Sequence, residues 1–84
     1  MDTRFLESFV AVVEFGSMAE AGRRLNITAA GVAQRLRVLE EEFGITLVTR
    51  VGRHVHPTEA GVAVFTKARA LLQGIRELRQ VATA

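Results

Sequence analysis

The chain has no cysteine, which excludes disulfides and thiolate metal sites and suits a reducing cytosol. Asp2 is the only aspartate, and Ser17 has no histidine–carboxylate pairing visible in the sequence. Both facts argue against an enzyme. The start, Met1 to Phe9, carries acidic residues and no long apolar run, so neither a signal peptide nor a membrane span is expected. Internal repeats, low-complexity tracts and flexible linkers are also missing. Lysine is nearly missing: ten of the eleven basic residues are arginine, and Lys67 is the exception. A planar guanidinium suits bidentate contact with phosphates and base edges better than diffuse charge attraction does.

What is present is a single small domain's worth of chain, 84 residues and 49% apolar, enough for a modest core but not for disorder. The formal charge is only +2, so the placement of charge matters more than its sum. Arg23, Arg24, Arg35, Arg37, Arg50 and Arg53 fall in the middle, and Glu40, Glu41 and Glu42 form a separate acidic knot.

Leu6, Phe9, Val10 and Val13 follow i, i+3, i+4, i+7 and predict a helix from about Thr3 to Phe15, capped by Asp2 and stopped by Gly16. Ser17-Met18-Ala19-Glu20 has the form of a capping box opening a short helix, Met18 to about Leu25. Asn26 suits the left-handed backbone that ends it, and Thr28 caps a third helix, about Ala29 to Phe43. Val32, Leu36, Leu39 and Phe43 form the buried stripe of that helix, with Ala30, Gln34, Arg37 and Glu41 opposite. After Gly44 the period changes to alternation, which predicts a hairpin of about Leu47–Arg50 with His54–His56, turning at Gly52. Thr58 caps a last helix from Glu59 to about Val81. The expected architecture is mostly α, a winged helix-turn-helix of order α-α-α-β-β-α with a long C-terminal linker or dimerisation helix. Residues 1–57 are assigned to DNA binding and 58–84 to dimerisation.

Two helices joined by a break of about three residues must cross steeply, and such a unit lays its second helix in the DNA major groove. The candidate base-contacting residues are therefore Ala29, Ala30, Ala33, Gln34 and Arg37. Gln34 can pair bidentately with adenine, Arg37 can reach guanine or a phosphate, and the alanines let the backbone approach thymine methyls. Ser17 and Thr28, at helix N-termini, and Arg35, Arg50 and Arg53 are the candidates for phosphate or minor-groove contact. His54 and His56 share one strand face but lack further metal ligands, so they read as solvent-facing wing residues, and no cofactor or metal is expected.

In the last helix Gly61, Val64, Ala68, Leu71, Ile75, Leu78 and Ala82 repeat at a heptad-like spacing, widened by Phe65 and Leu72. Val64, Ala68, Leu71, Leu72, Ile75 and Leu78 are the expected dimer interface. A two-fold homodimer would present two recognition helices to two half-sites.

The stretches "FVAVVEFGSMAEAGRRLNIT", "LRVLEEEFGITLVTRVGR" and "PTEAG" resemble the N-terminal DNA-binding domain of LysR-type transcriptional regulators, over about residues 2–83. The resemblance implies a cytoplasmic, nucleoid-associated, bacterial-type regulator that binds double-stranded DNA. It also implies a following effector-binding domain and tetramers. That domain is absent from these 84 residues, so the chain is expected to be an isolated domain or a truncated piece. The family commonly has Ser-Gln-Pro-Ala where Thr28-Ala29-Ala30-Gly31 stands, and Ser-Arg where Ala33-Gln34 stands. Direct base readout is therefore expected to be thinner, with more weight on phosphates, wing and DNA shape. The rival expectation is a winged-helix protein–protein module without DNA binding, supported by the alanines and the acidic knot.

Overall fold

The computed structural model describes residues 2–84. Its elements are α1 (Thr3–Phe15), α2 (Met18–Leu25), α3 (Ala29–Phe43), β1 (Val48–Val51), β2 (His54–Pro57) and α4 (Glu59–Thr83). The order is the expected one, but the bounds of β1, β2 and α4 differ; β2 runs one residue further than expected, to Pro57. β1 starts one residue later because both backbone groups of Leu47 are engaged outside the hairpin: its N–H donates to Glu40 Oε2 at 2.7 Å and its carbonyl accepts from Thr58 N at 3.0 Å. α4 continues to Thr83, past the expected end at Val81.

Local chemistry ends each helix. Asp2, Ser17, Thr28 and Thr58 accept from the backbone N–H of Arg4, Glu20, Gly31 and Gly61 respectively, satisfying donors that the first turn leaves open. The capping box at Ser17 is only half made, because the Glu20 carboxylate turns to Arg23 and Arg24 instead. Asn26 is left-handed, its N–H donates to Arg23 O and that of Ile27 to Gly22 O, which is a Schellman closure. This closure makes the turn between α2 and α3 so short. A Cβ on Gly22 would lie 2.6 Å from Ile27 O, so the turn folds directly onto α2 only because that carbon is missing.

The core has two adjoining parts. Leu6, Phe9, Val10, Leu36, Leu39, Leu47, Ala68 and Leu72 form one; Ala11, Val12, Ala21, Val32 and Val55 form the other. Val32, Leu36 and Leu39 are buried as the period of α3 predicts, and Phe43 is half-buried at the edge. Burying a large apolar side chain contributes about 1.5–3 kcal/mol, so these two patches hold the helices together.

The stripe along α4 does not behave as one seam. Ala68 and Leu72, expected at a dimer interface, are only 2% and 6% exposed and belong to the core with Leu6, Phe9 and Val10 of α1. The heptad pattern misassigns them because one spacing serves both an intrachain groove and an intermolecular one. Val64 is half-buried against the same core. Leu71 and Leu78 remain 60% and 67% exposed, with Ile75 intermediate between them and Ala68.

Candidate nucleic-acid interface

The front of α3 is open. Thr28, Ala29, Ala30, Gln34 and Arg37 are exposed, and Ala33 is half-buried. The hydroxyl oxygens of Thr28 and Ser17 accept the cap bonds at 2.9 and 3.2 Å. Each hydroxyl keeps its own proton to donate elsewhere, and the positive end of a helix dipole lies beside it.

The wing is fixed to this surface by its second strand. β1 and β2 pair antiparallel, with Val51 opposite His54 and Thr49 opposite His56. Gly52 has φ 63° and Arg53 is not left-handed, the pattern of a two-residue type II′ turn. Val55, between the two exposed histidines, is buried with Val12 and Val32, and its N–H donates to Gly16 O at 3.0 Å. Gly16 thus ends α1 and receives the wing immediately before Ser17 opens α2. The result is a concave surface of about 450 Å³ between wing and helix-turn-helix, with Ser17, Ala29, Ala30, Ala33, Arg50 and Arg53 in its lining. Arg37 and Arg50 border an adjoining hollow. Ala19 and His54 also line the first hollow. The only sequence signal for Ala19 was its place in the first turn of α2.

Charge is distributed unevenly around this surface. Among the described residues the ion pairs are Asp2–Arg4, Glu20–Arg23 and Glu20–Arg24, all exposed to solvent on at least one side. Hydrogen bonding and charge from Arg23, and then from Arg24, hold the Glu20 carboxyl below its ordinary range. Arg24 also stacks 4.8 Å over the Phe15 ring. Among the described residues, Arg37, Arg50 and Arg53 have no carboxylate partner. Arg35 is placed differently from the expectation of a phosphate ligand: it is half-buried against α1, and its Nη1 donates to Ser8 Oγ at 3.2 Å. Its position on α3 lies beside the buried stripe, which turns it toward α1 and away from the open face. Gln34 and Arg37 bond to each other, Arg37 Nη2 donating to Gln34 Oε1 at 2.6 Å.

The acidic knot has a partial explanation that the sequence did not provide. Glu40 braces the chain entering the wing through its bond to Leu47 N, and Glu41 and Glu42 are exposed. The side chain of Glu40 therefore links the end of α3 to the root of the hairpin.

Residues 3–62 match the family model described as bacterial regulatory helix-turn-helix protein, lysR family. An uncharacterised HTH-type transcriptional regulator of Azotobacter vinelandii is 40% identical over 80 residues, 95% of this chain and 56% of that protein. The nitrogen assimilation regulatory protein nac of Escherichia coli K12 is 38% identical over 73 residues, 87% of this chain and 24% of its own length. The chain thus spans about half the length of the first relative and about a quarter of the second. Among solved structures, the DNA-binding domain of BenM on benA site 1 DNA superposes with a TM-score of 0.93 at 34% identity, covering 99% of this chain and 93% of that one. The CbnR DNA-binding domain in complex with DNA gives 0.86 at 34% identity, covering 99% and 98%.

Proposed function

The chain belongs to the LysR family of bacterial regulatory helix-turn-helix proteins, and on that premise we propose that it binds double-stranded DNA sequence-selectively as a homodimer. The family and its relatives are transcriptional regulators, not enzymes. Residues 1–57 carry the contact with DNA, and residues 58–84 carry the helix through which two copies pair. The leading turns of α3 enter the major groove, with Ala29, Ala30, Ala33, Gln34 and Arg37 at the base edges. Ser17, Thr28, Arg50 and Arg53 meet phosphates or the minor groove on either side. The observation that carries this proposal is the shared hollow: α3's exposed alanines, the Ser17 cap and the wing arginines face one space. The BenM and CbnR domains that superpose on the chain are themselves complexes with DNA, which supports the same orientation.

The exposed Leu71 and Leu78 support pairing. Leu71 lines an apolar hollow of about 400 Å³ together with Leu6, Phe43, Ile45 and Val64, and it shares a second one with Ile75 and Leu78. Exposed apolar surface of this extent favours association. A two-fold pair presents two copies of α3 to a pseudopalindrome.

Salt dependence of duplex binding tests the proposal. Each neutralised phosphate releases a counterion, so log K should fall linearly with log salt, and replacing both Arg50 and Arg53 by Ala should reduce the slope by about two for each copy, about four for the pair. A salt-insensitive affinity would instead identify a protein–protein module. Footprints should show half-sites about one helical turn apart, or a multiple of it.

A further inference from the structure

Gln34 and Arg37 are three residues apart on α3, hence neighbours on its surface, and both are exposed. Arg37 Nη2 lies 2.6 Å from Gln34 Oε1. A guanidinium has only donors, so the atom it meets must be the amide oxygen, and the Gln34 NH2 group is the end left outward. Arg37 has other choices. Glu40 and Glu41 follow it on the next turn, and both line a hollow with it. Glu40 is held by Leu47 N, and Arg37 turns instead toward the N-terminal end of α3. There the neighbouring side chains, Ala29, Ala30 and Ala33, have no polar atom to compete for the Gln34 oxygen.

A glutamine that reads adenine uses both ends of its amide: the oxygen accepts from N6 and the NH2 donates to N7. With its oxygen turned back along the helix to Arg37, Gln34 presents its NH2 group outward, and the guanidinium beside it adds further donors. Adenine would meet such a face with its own N6 donor. Guanine meets it with two acceptors, N7 and O6. Resting on the DNA binding proposed above, we infer that Gln34 and Arg37 act as one donor-only reading unit that selects guanine, replacing the adenine contact a lone glutamine makes. Arg37 sets the specificity of Gln34 by turning its acceptor away from the base.

The test is selection of bound duplexes from a random pool by the 84-residue chain, run in parallel with Gln34→Ala and Arg37→Met. The Gln34→Ala variant identifies the base column that Gln34 reads, as the column that loses its preference. In the unchanged chain that column should be guanine, favoured over adenine by about tenfold in Kd. Arg37→Met keeps an unbranched side chain on an exposed position but frees the Gln34 oxygen, and the same column should change to adenine. Adenine in the unchanged chain, the same base with and without Arg37, or no column sensitive to Gln34 would each overturn the inference while leaving DNA binding intact. Failure to enrich any duplex, together with salt-insensitive retention, would overturn DNA binding and the inference with it.

Discussion

A Cβ at Gly61 would overlap the carbonyl oxygen of Leu47, because the first turn of α4 lies directly on the chain entering β1. Backbone has no side-chain freedom with which to give way. Gly61→Ala should therefore destabilise the fold by about 1–3 kcal/mol, read as a lower urea midpoint. Gly74, in the free half of the same helix, has nothing within 4 Å of the same carbon. Gly74→Ala should raise stability by about 0.5–1 kcal/mol, since only helix propensity is at stake. At the other end of the chain, Asp2 accepts from the Arg4 side chain and backbone, which lowers its pKa from 3.8 to about 2. The folded value lies below the unfolded one. The stabilisation is therefore fully present above pH ~4 and is lost as pH falls through about 2. A carboxyl titration followed by NMR should have its midpoint near 2, and Arg4→Ala should raise it toward 3.8.

At the scale of the elements, the wing is a two-stranded hairpin too short to stand alone. Three attachments hold it: Val55 in the core and on Gly16 O, Glu40 on Leu47 N, and Thr58 on Thr46 O and Leu47 O. Glu40→Ala removes the second and leaves the Leu47 N–H, which is part-buried, without its partner. A loss of about 1–3 kcal/mol is expected, with faster amide exchange at Leu47. The wing arginines should then be less well held, and duplex affinity should fall although Glu40 carries the wrong sign to touch DNA. Retained Leu47 protection in that variant would show that the brace is dispensable. The Glu20–Arg23–Arg24 cluster is an exposed structure on α2 and should contribute little to stability.

For the whole molecule, α4 divides its labour along its length. Up to Leu72 one side of it completes the core through Gly61, Ala68 and Leu72, while the side that begins at Leu71 and continues through Ile75 and Leu78 lies outside that core. The 25-residue helix is about 37 Å long at 1.5 Å per residue, which accounts for most of the 45 Å long axis of the molecule. Replacing Leu71 and Leu78 together by Glu should leave the urea midpoint of the isolated fold nearly unchanged. Sedimentation should then report monomers, and affinity for a two-half-site duplex should drop far more than affinity for one half-site. An unchanged dimer would mean that pairing uses another face.

The sequence by itself determined every helix and nearly every helix end, because caps, left-handed glycines and the period of α3 are local chemistry within a few residues. It also marked the open face of α3, since whatever lies opposite Val32, Leu36 and Leu39 must face out. Only the tertiary structure decided which α4 residues are internal, why Glu40 is an acid, and where Arg35 and Arg37 point. Those depend on groups distant in the chain or on a choice between partners of similar reach. Ala68 and Leu71 look alike in a heptad, and only the position of α1 separates them.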